Sequence, residues 1–268
     1  MTLTETSIND CNAAAADSRG VSLSALKFVL VETSRPGNIG AAARAMKTMG
    51  FTQLVLVRPR FADAASDPEA IAFASGAQDV LAAARVVDSI DEALAGCTFA
   101  AAVSARLREF SPPVATPRAL AEQLVTVVDC RAALVFGNER FGLPNSIVEK
   151  CNVLINIPAN PAYSSLNLAQ AVQIVAYECA IALQAAKTTA APLAPVSTAT
   201  GEAAGLAQIE ALFVHLEEAL TALEFLDPAN PKKLMARLRR LFSRTGLEVE
   251  EVNILRGIAN RILRRRWE

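Results

Sequence analysis

Short apolar runs, separated by turn residues and helical stretches, dominate the first two thirds of the chain. Five of these runs predict strands, at 28–31, 54–57, 98–103, 133–136 and 153–157. Each run is continuously apolar rather than alternating, which is typical of strands buried on both faces of a parallel sheet. The pattern therefore predicts an α/β domain with a mostly parallel sheet flanked by helices.

Apolar residues at helical spacing predict the intervening helices, over 39–49, near 68–84, near 117–127 and over about 167–186. Pro36, Gly37 and Asn38 are expected to break the apolar run 28–31, and Gly50 is expected to cap the end of the first helix. The last helix is long and apolar, but it carries residues that would be costly in lipid: Gln170, Gln173, Glu178 and Gln184. We expect it to be a core helix.

A change of composition divides the chain into four parts. Residues 1–20 predict a frayed terminus, 21–186 the α/β domain, 187–205 a flexible linker rich in Ala, Thr and Pro, and 206–268 a helical extension. The extension has no strand signal and predicts amphipathic helices near 206–225, 231–243 and 249–266.

Composition narrows the class of protein. With 268 residues, 52% of them hydrophobic, and a net charge of only −1, disorder is excluded as the dominant state. The first ten residues contain acids and no Lys or Arg, so no secretory signal is expected and the protein is expected to be soluble and cytoplasmic. Five cysteines without a CxxC pair and a single histidine, His215, give no basis for a zinc site or a histidine-based catalytic triad. No metal is expected.

Charge is concentrated in the extension. Residues 231–268 contain eleven basic and four acidic residues, a net charge of +7 that leaves −8 on the rest of the chain. The basic residues either form a solvated helix face or bind a polyanion such as RNA.

Three strand-to-helix segments carry the candidate chemistry, because such turns form the ligand crevice of a parallel sheet. They are the segments 32–45 (ETSRPGNIGAAARA), 134–143 (LVFGNERFGL) and 155–169 (INIPANPAYSSLNLA). Each has a simpler interpretation: small residues packing a helix on the sheet, a surface turn with a local ion pair, and Ser164 or Ser165 as a helix N-cap. Tyr163 either stacks on a base or packs the turn. The GxGxxG fingerprint of a dinucleotide-dependent oxidoreductase is absent.

Together, and in this order, the three segments resemble the motifs of the SpoU/TrmH branch of the SPOUT RNA methyltransferases. N-x-G-x-x-x-R, F-G-N-E-R-x-G-L and I-P-x-x-x-x-x-S-S-L-N-x-A-x-A look like its first, second and third motifs. The segments 231–244 and 251–257 look like the C-terminal extension of the TrmJ-type tRNA 2′-O-methyltransferases.

The resemblance implies an α/β fold with a C-terminal trefoil knot and a homodimer. It implies S-adenosylmethionine (SAM) as cofactor, held largely by backbone groups of Val103, Ser104, Ala105, Gly137, Ile157, Ser164, Ser165 and Leu166. It implies a catalytic set of Asn38, Arg44, Glu139, Ser165 and Asn167, with Glu139 and Asn38 orienting Arg44. RNA-binding residues would be Arg35, Lys232, Lys233, Arg237, Arg239, Arg240 and Arg244.

The implied reaction methylates a ribose 2′-OH of tRNA, at a cytidine or uridine in position 32 of the anticodon loop. Arg44 is either the base or a cation that anchors the neighbouring phosphate while a phosphate oxygen or water takes the proton; a guanidinium is not normally deprotonated in proteins. Ribosomal RNA as substrate and a non-catalytic RNA-binding module are the alternatives.

Overall fold

The computed structural model describes residues 26–61, 63–108, 111–126, 131–188 and 201–264. The predicted frayed terminus, most of the predicted linker, and Arg265 and Arg266 lie outside these ranges. Within these ranges there are seven strands: β1 Lys27–Val31, β2 Gln53–Val57, β3 Arg85–Val87, β4 Phe99–Val103, β5 Val114–Ala115, β6 Ala132–Phe136 and β7 Val153–Ile155.

The strands form one sheet in the order β3-β2-β1-β6-β4-β7-β5, and every pairing is parallel. This confirms the predicted parallel sheet. The five predicted strands are present within one or two residues, whereas β3 and β5, of three and two residues, were not predicted. The trefoil knot stays a prediction.

Ten helices occur among the described residues. They are α1 Pro36–Thr48, α2 Pro68–Ala74, α3 Gln78–Ala82, α4 Ile90–Leu94, α5 Pro117–Leu124, α6 Asn145–Val148, α7 Leu168–Thr188, α8 Leu206–Ala222, α9 Leu234–Phe242 and α10 Val249–Arg264. The first apolar run ends as expected, since β1 stops at Val31. Pro36 is already the first residue of α1, a position that needs no N–H donor. The helical stretch near 68–84 consists of two helices, because Ser75 and Gly76 adopt positive φ of 41° and 93°.

The core has one cluster on each face of the sheet. Along β1, Phe28 and Leu30 point to the face covered by α1, α5 and α7, and Val29 and Val31 point to the face covered by α4 and α6. Burial on both faces explains why the strands are continuously apolar. Phe28 also contacts the ring of Phe51 at 5.1 Å between centroids.

The long helix α7 packs its apolar side against the sheet, with Val172, Val175 and Ala176 fully buried. By length and composition alone its residues Leu168–Ala186 could cross a membrane, but 39% of that stretch is buried inside the molecule. Its Glu178 binds Arg118 of α5. Tyr177 and Ile181, 50% and 45% exposed, lie on the uncovered side.

The C-terminal helices join the α/β part through α8. Leu206 is buried in the second core cluster, and its backbone N–H donates to the carbonyl of Cys97 at 3.1 Å. Leu212 of α8 and Val252 of α10 form a small separate core. Within the described part of the extension, α9 contributes no buried residue.

Candidate active site

The three motif-bearing segments meet at the carboxyl edge of the sheet. They follow β1, β6 and β7, and all three strands run in the same direction. In a parallel sheet the carboxyl ends of the strands share one edge, so residues more than 100 positions apart become neighbours.

Glu139 is the centre of a chain of hydrogen bonds that links all three segments. Its Oε2 accepts from the backbone N–H of Ser34 at 2.9 Å and from the Ser34 hydroxyl at 2.8 Å. Its Oε1 accepts from Nδ2 of Asn38 at 2.8 Å. Asn38 in turn accepts, through Oδ1, a hydrogen bond from Nδ2 of Asn167 at 3.1 Å. The structure thus brings together three of the five predicted catalytic residues.

These donors keep the Glu139 carboxylate charged. Burial raises its pKa, but the hydrogen bonds from Asn38 and Ser34 outweigh burial, and the pKa of Glu139 is lowered below its ordinary value of 4.5. The group is therefore ionised at neutral pH and acts as an acceptor, not as a general acid.

A tight loop presents Glu139. The backbone groups of Asn138 and Gly142 bond to each other in both directions, at 3.2 and 2.8 Å, and enclose Glu139, Arg140 and Phe141 at the tip. Gly142 has a φ of +70°, and a Cβ on Gly137 would overlap the backbone of Gly142. Both glycines are therefore required by the geometry of the loop rather than by a ligand.

A cavity of about 280 Å³ opens beside this loop, at the ends of β4, β6 and β7. All eight residues predicted to bind the cofactor line it: Val103, Ser104, Ala105, Gly137, Ile157, Ser164, Ser165 and Leu166. Glu139 lines it as well. The cavity is close to the lower end of the roughly 300–1,000 Å³ that small-molecule sites occupy.

Arg108 is a residue of this cavity that the sequence analysis missed. Its guanidinium donates to the carbonyl of Leu143 at 2.6 Å and to Oδ1 of Asn145 at 2.7 Å, with longer contacts to Ser104 and Arg106. It therefore ties the loop after β4 to the loop after β6. Burial, together with the charge of Arg106, lowers the pKa of Arg108.

Arg44 lies apart from the Glu139 cluster. It projects from α1 into an open recess between α1 and α7, and Leu166 lines both this recess and the cofactor cavity. Contrary to expectation, Arg44 makes no side-chain hydrogen bond or ion pair with Glu139, Asn38 or any other residue that the structure describes. The exposed Arg44 side chain lines the recess, which shares Leu166 with the cavity.

The start of α7 also differs from the simpler interpretation of its sequence. Ser164 and Ser165 do not cap the helix. Oδ1 of Asn167 accepts from the backbone N–H of Ala169 at 2.9 Å, so Asn167 caps α7 while its Nδ2 binds Asn38. Both serines are left to line the cavity.

The residues predicted to bind RNA fall into two places. Arg35 is exposed beside the catalytic cluster, at the N-cap of α1, and the other six lie in or next to α9. Arg239 departs from the prediction. Its guanidinium pairs with both carboxylate oxygens of Glu210 at 2.7 and 2.8 Å and lies 4.4 Å from the ring centre of Phe213. With a side chain only 18% exposed, Arg239 fixes α9 on α8 instead of facing outward.

Comparisons with known proteins agree with this geometry. The model of the SpoU rRNA methylase family matches residues 25–177, and that of the tRNA methyltransferase TrmJ C-terminal domain matches residues 207–268. The chain is 44% identical over 238 residues to the tRNA (cytidine/uridine-2′-O-)-methyltransferase TrmJ of Yersinia enterocolitica, covering 88% of this chain and 91% of that protein.

Two further relatives extend this likeness. The tRNA (cytidine/uridine/adenosine-2′-O-)-methyltransferase TrmJ of Pseudomonas aeruginosa is 44% identical over 241 residues, covering 88% of this chain and 93% of that protein. The crystal structure of TrmJ from Z. mobilis superposes with a TM-score of 0.75 at 33% identity, covering 89% of this chain and 99% of that one. The likeness therefore includes the sheet and the C-terminal helices.

Proposed function

The chain belongs to the SpoU rRNA methylase family, and on that premise we propose that it transfers a methyl group from SAM to a ribose 2′-OH of tRNA. The observation that carries the proposal is the meeting of three distant motifs at one sheet edge. There the Glu139–Asn38–Asn167 chain adjoins a cavity lined by every residue that the family resemblance assigns to the cofactor.

The cavity has the chemistry that SAM requires. Apolar walls from Phe136, Ile157 and Leu166 suit an adenine ring, and Gly137 adds backbone to the lining. The ionised carboxylate of Glu139 lies in the wall, where it favours a cationic sulfur. When bound, SAM supplies a methyl group that is already activated by the positive charge of that sulfur.

The residues of the chain then act by positioning the acceptor. Arg44 serves as a cation for a phosphate next to the reacting ribose, because a guanidinium is not normally deprotonated in proteins. A phosphate oxygen or water takes the 2′-OH proton. Leu166 lines both the Arg44 recess and the cavity, so a ribose held in the recess would lie next to the methyl donor.

The target ribose belongs to a cytidine or uridine at position 32 of the anticodon loop, the position that the family resemblance implies. The names of the TrmJ relatives support cytidine and uridine, with adenosine added in the one from P. aeruginosa. Ribosomal RNA is a second candidate because the family model carries that description. The match of residues 207–268 to the TrmJ C-terminal domain favours tRNA.

The C-terminal extension binds the phosphates of the RNA. Lys232, Arg240 and Arg244 lie on or beside α9, which Arg239 fixes to α8. Each basic contact to a phosphate releases counterions, so binding through this surface weakens steeply with salt.

The enzyme works as a cytoplasmic homodimer. The uncovered side of α7 carries Tyr177 and Ile181, and the Arg44 recess opens between the same helix and α1. A second copy seated on this side would cover exposed apolar surface and close the recess. Sedimentation velocity checks this: the expected mass is twice 28.4 kDa.

The test of the function is methyl transfer from labelled SAM to unmodified tRNA, with ribosomal RNA and a tRNA transcript carrying guanosine at position 32 as matched controls. The proposal expects label in the first RNA only. Label in ribosomal RNA alone would overturn the tRNA assignment. Binding competition between SAM, its demethylated product and NAD separates the methyltransferase from a dinucleotide enzyme, which would bind NAD.

A further inference from the structure

Exposed aromatic rings gather at the catalytic edge of the sheet. Six aromatic side chains are exposed among the described residues, and three of them lie at this edge: Phe61 at 43%, Phe141 at 71% and Tyr163 at 79%. Only 14 of the 268 residues are aromatic, and burial normally stabilises such rings. Three rings exposed beside a reaction site therefore need an explanation.

Each ring is attached to the catalytic machinery through the backbone. Phe141 is on the loop that presents Glu139, and its N–H donates to Oδ1 of Asn138 at 3.2 Å. Tyr163 directly precedes Ser164 of the cofactor cavity, and its N–H donates to the carbonyl of Asn160 at 2.9 Å. The rings are thus held in place rather than carried on free chain.

Phe61 is connected in the same way. It follows Arg60, whose N–H donates to the carbonyl of Thr33 at 3.1 Å, and Thr33 precedes the Ser34 that binds Glu139. An expectation that Tyr163 packs its turn is not met, since four fifths of its surface is open to solvent.

Arginines accompany two of the rings. The guanidinium of Arg60 lies 5.4 Å from the centre of the Phe61 ring, and that of Arg140 lies 5.5 Å from the centre of the Phe141 ring. An exposed ring beside a cation is the combination that proteins use to bind unpaired nucleic acid, because the ring stacks on a base and the cation meets the backbone.

The rings are spread along the edge. Phe61 follows β2, Phe141 follows β6 and Tyr163 lies after β7, so the three rings come from three separate loops at the carboxyl edge of the sheet. Resting on the proposed function, we propose that Phe61, Phe141 and Tyr163 form a stacking platform for the unpaired nucleotides on either side of the target ribose.

The platform has a consequence for the choice of substrate. Stacking does not read base identity, because every base has a π face, but it requires nucleotides that are free of a duplex. The platform therefore selects a loop over a helix, and it leaves the choice of the reacting base to other contacts.

Tyr163 and Phe61 are the residues to test, because neither lines the cofactor cavity whereas Phe141 does. Replacing each by leucine keeps an apolar side chain and removes the π face. We expect Tyr163→Leu and Phe61→Leu each to raise the KM for tRNA about tenfold, with SAM affinity unchanged. Tyr163→Trp restores the π face and is expected to remain close to wild type.

The matched control is Phe73→Leu, at a ring that is 54% exposed on α2, away from the edge. Its KM for tRNA is expected to stay at the wild-type value. Leucine variants at Tyr163 and Phe61 that keep the wild-type KM would overturn the platform while leaving the methyltransferase assignment intact.

A fluorescence measurement tests the platform independently of turnover. Trp267 is the only tryptophan, so Tyr163→Trp in a Trp267→Phe background reports on position 163 alone. We expect a single-stranded oligoribonucleotide to quench this emission and a duplex of the same sequence to leave it unchanged. If the wild type methylates no RNA, the proposed function fails. Absence of quenching overturns the platform in either case.

Discussion

The catalytic edge and the C-terminal extension both carry arginines, but the two regions hold their polar groups in opposite ways. At the edge, Glu139 accepts three hydrogen bonds from Ser34 and Asn38, and Asn38 is bound by Asn167. In the extension, the described residues of α9 include none that is buried, and its docking depends on Arg239.

This difference matches two separate tasks, methyl transfer at the catalytic edge and RNA binding by the extension. Methyl transfer needs the acceptor oxygen and the methyl carbon aligned to a fraction of an ångström, which a fully bonded cluster provides before RNA arrives. Phosphate binding tolerates more displacement, because much of the attraction between a basic side chain and the phosphate backbone comes from charge and counterion release rather than from exact alignment. A helix with no buried residue among those described, docked through contacts that include Arg239 with Glu210 and Phe242 with Phe213, is adequate for that task.

The largest expected effect is at the edge. Arg44→Ala should lower kcat/KM for tRNA about a thousandfold, because it removes the cation that stabilises charge at the acceptor. SAM affinity should not change, since Arg44 does not line the cofactor cavity. Arg44→Lys keeps the charge and should recover part of the rate. Calorimetry with SAM and initial-rate kinetics measure the two quantities; a loss of SAM binding would contradict this account.

Glu139→Gln should have the next largest effect, a loss of about a hundredfold in kcat/KM, because an amide cannot accept all three hydrogen bonds and Asn38 shifts.

The contribution of Glu139 to the stability of the fold depends on pH with a definite sign. Since the folded pKa of Glu139 is lowered, its stabilising contribution is complete above the ordinary value of 4.5 and is lost as the pH falls through the lower folded value.

Thermal unfolding between pH 3 and pH 7 measures this contribution. The difference in Tm between the wild type and Glu139→Gln should shrink on the acid side. A difference that stays constant across the range would show that the carboxylate charge does not matter.

A smaller effect is expected at Arg108. Arg108→Ala should raise the dissociation constant for SAM about tenfold, because the loops after β4 and β6 lose the bonds that join them, each worth about 1.5–3 kcal/mol. The matched control is Arg118→Ala, which breaks only an exposed pair with Glu178 and should leave SAM binding unchanged. If both variants changed the dissociation constant for SAM equally, Arg108 would have no specific role in the cofactor site.

The smallest effects distinguish two adjacent residues of the extension. Arg239→Ala should raise the KM for tRNA about fivefold and make α9 sensitive to limited proteolysis, because the pair with Glu210 is lost. Arg240→Ala should leave proteolysis unchanged and lower the salt slope of tRNA binding by about one. The reverse pattern would mean that Arg239 contacts RNA.

What could be predicted from the sequence is what depends on local signals. The long strands, α1 and α7 follow from their apolar patterns, and the motif residues lie at strand ends where the order of the chain already places them. The eight residues that line the cofactor cavity came from the family resemblance, not from a local pattern.

What could not be predicted depends on distant partners or on very short elements. Arg108 bonds to residues 35 and 37 positions away, and Arg239 bonds to one 29 positions away, so nothing near them in the sequence distinguishes them from surface arginines. β5, of two residues, is defined by its partner β7 rather than by its own pattern. Asn167 caps α7 through one amide atom and binds the distant Asn38 through the other, and the preceding Ser164-Ser165 pair offered a competing local signal for the cap.

The central claim is that the acceptor is a ribose 2′-oxygen, and alkaline hydrolysis of methyl-labelled tRNA tests it most directly. Alkali cleaves a phosphodiester through the free 2′-OH, so a methylated ribose leaves one uncut linkage. The account predicts that the label appears in a single alkali-resistant dinucleotide from the anticodon loop, and that Arg44→Ala yields none. Label recovered in mononucleotides would place the methyl group on a base and contradict the account.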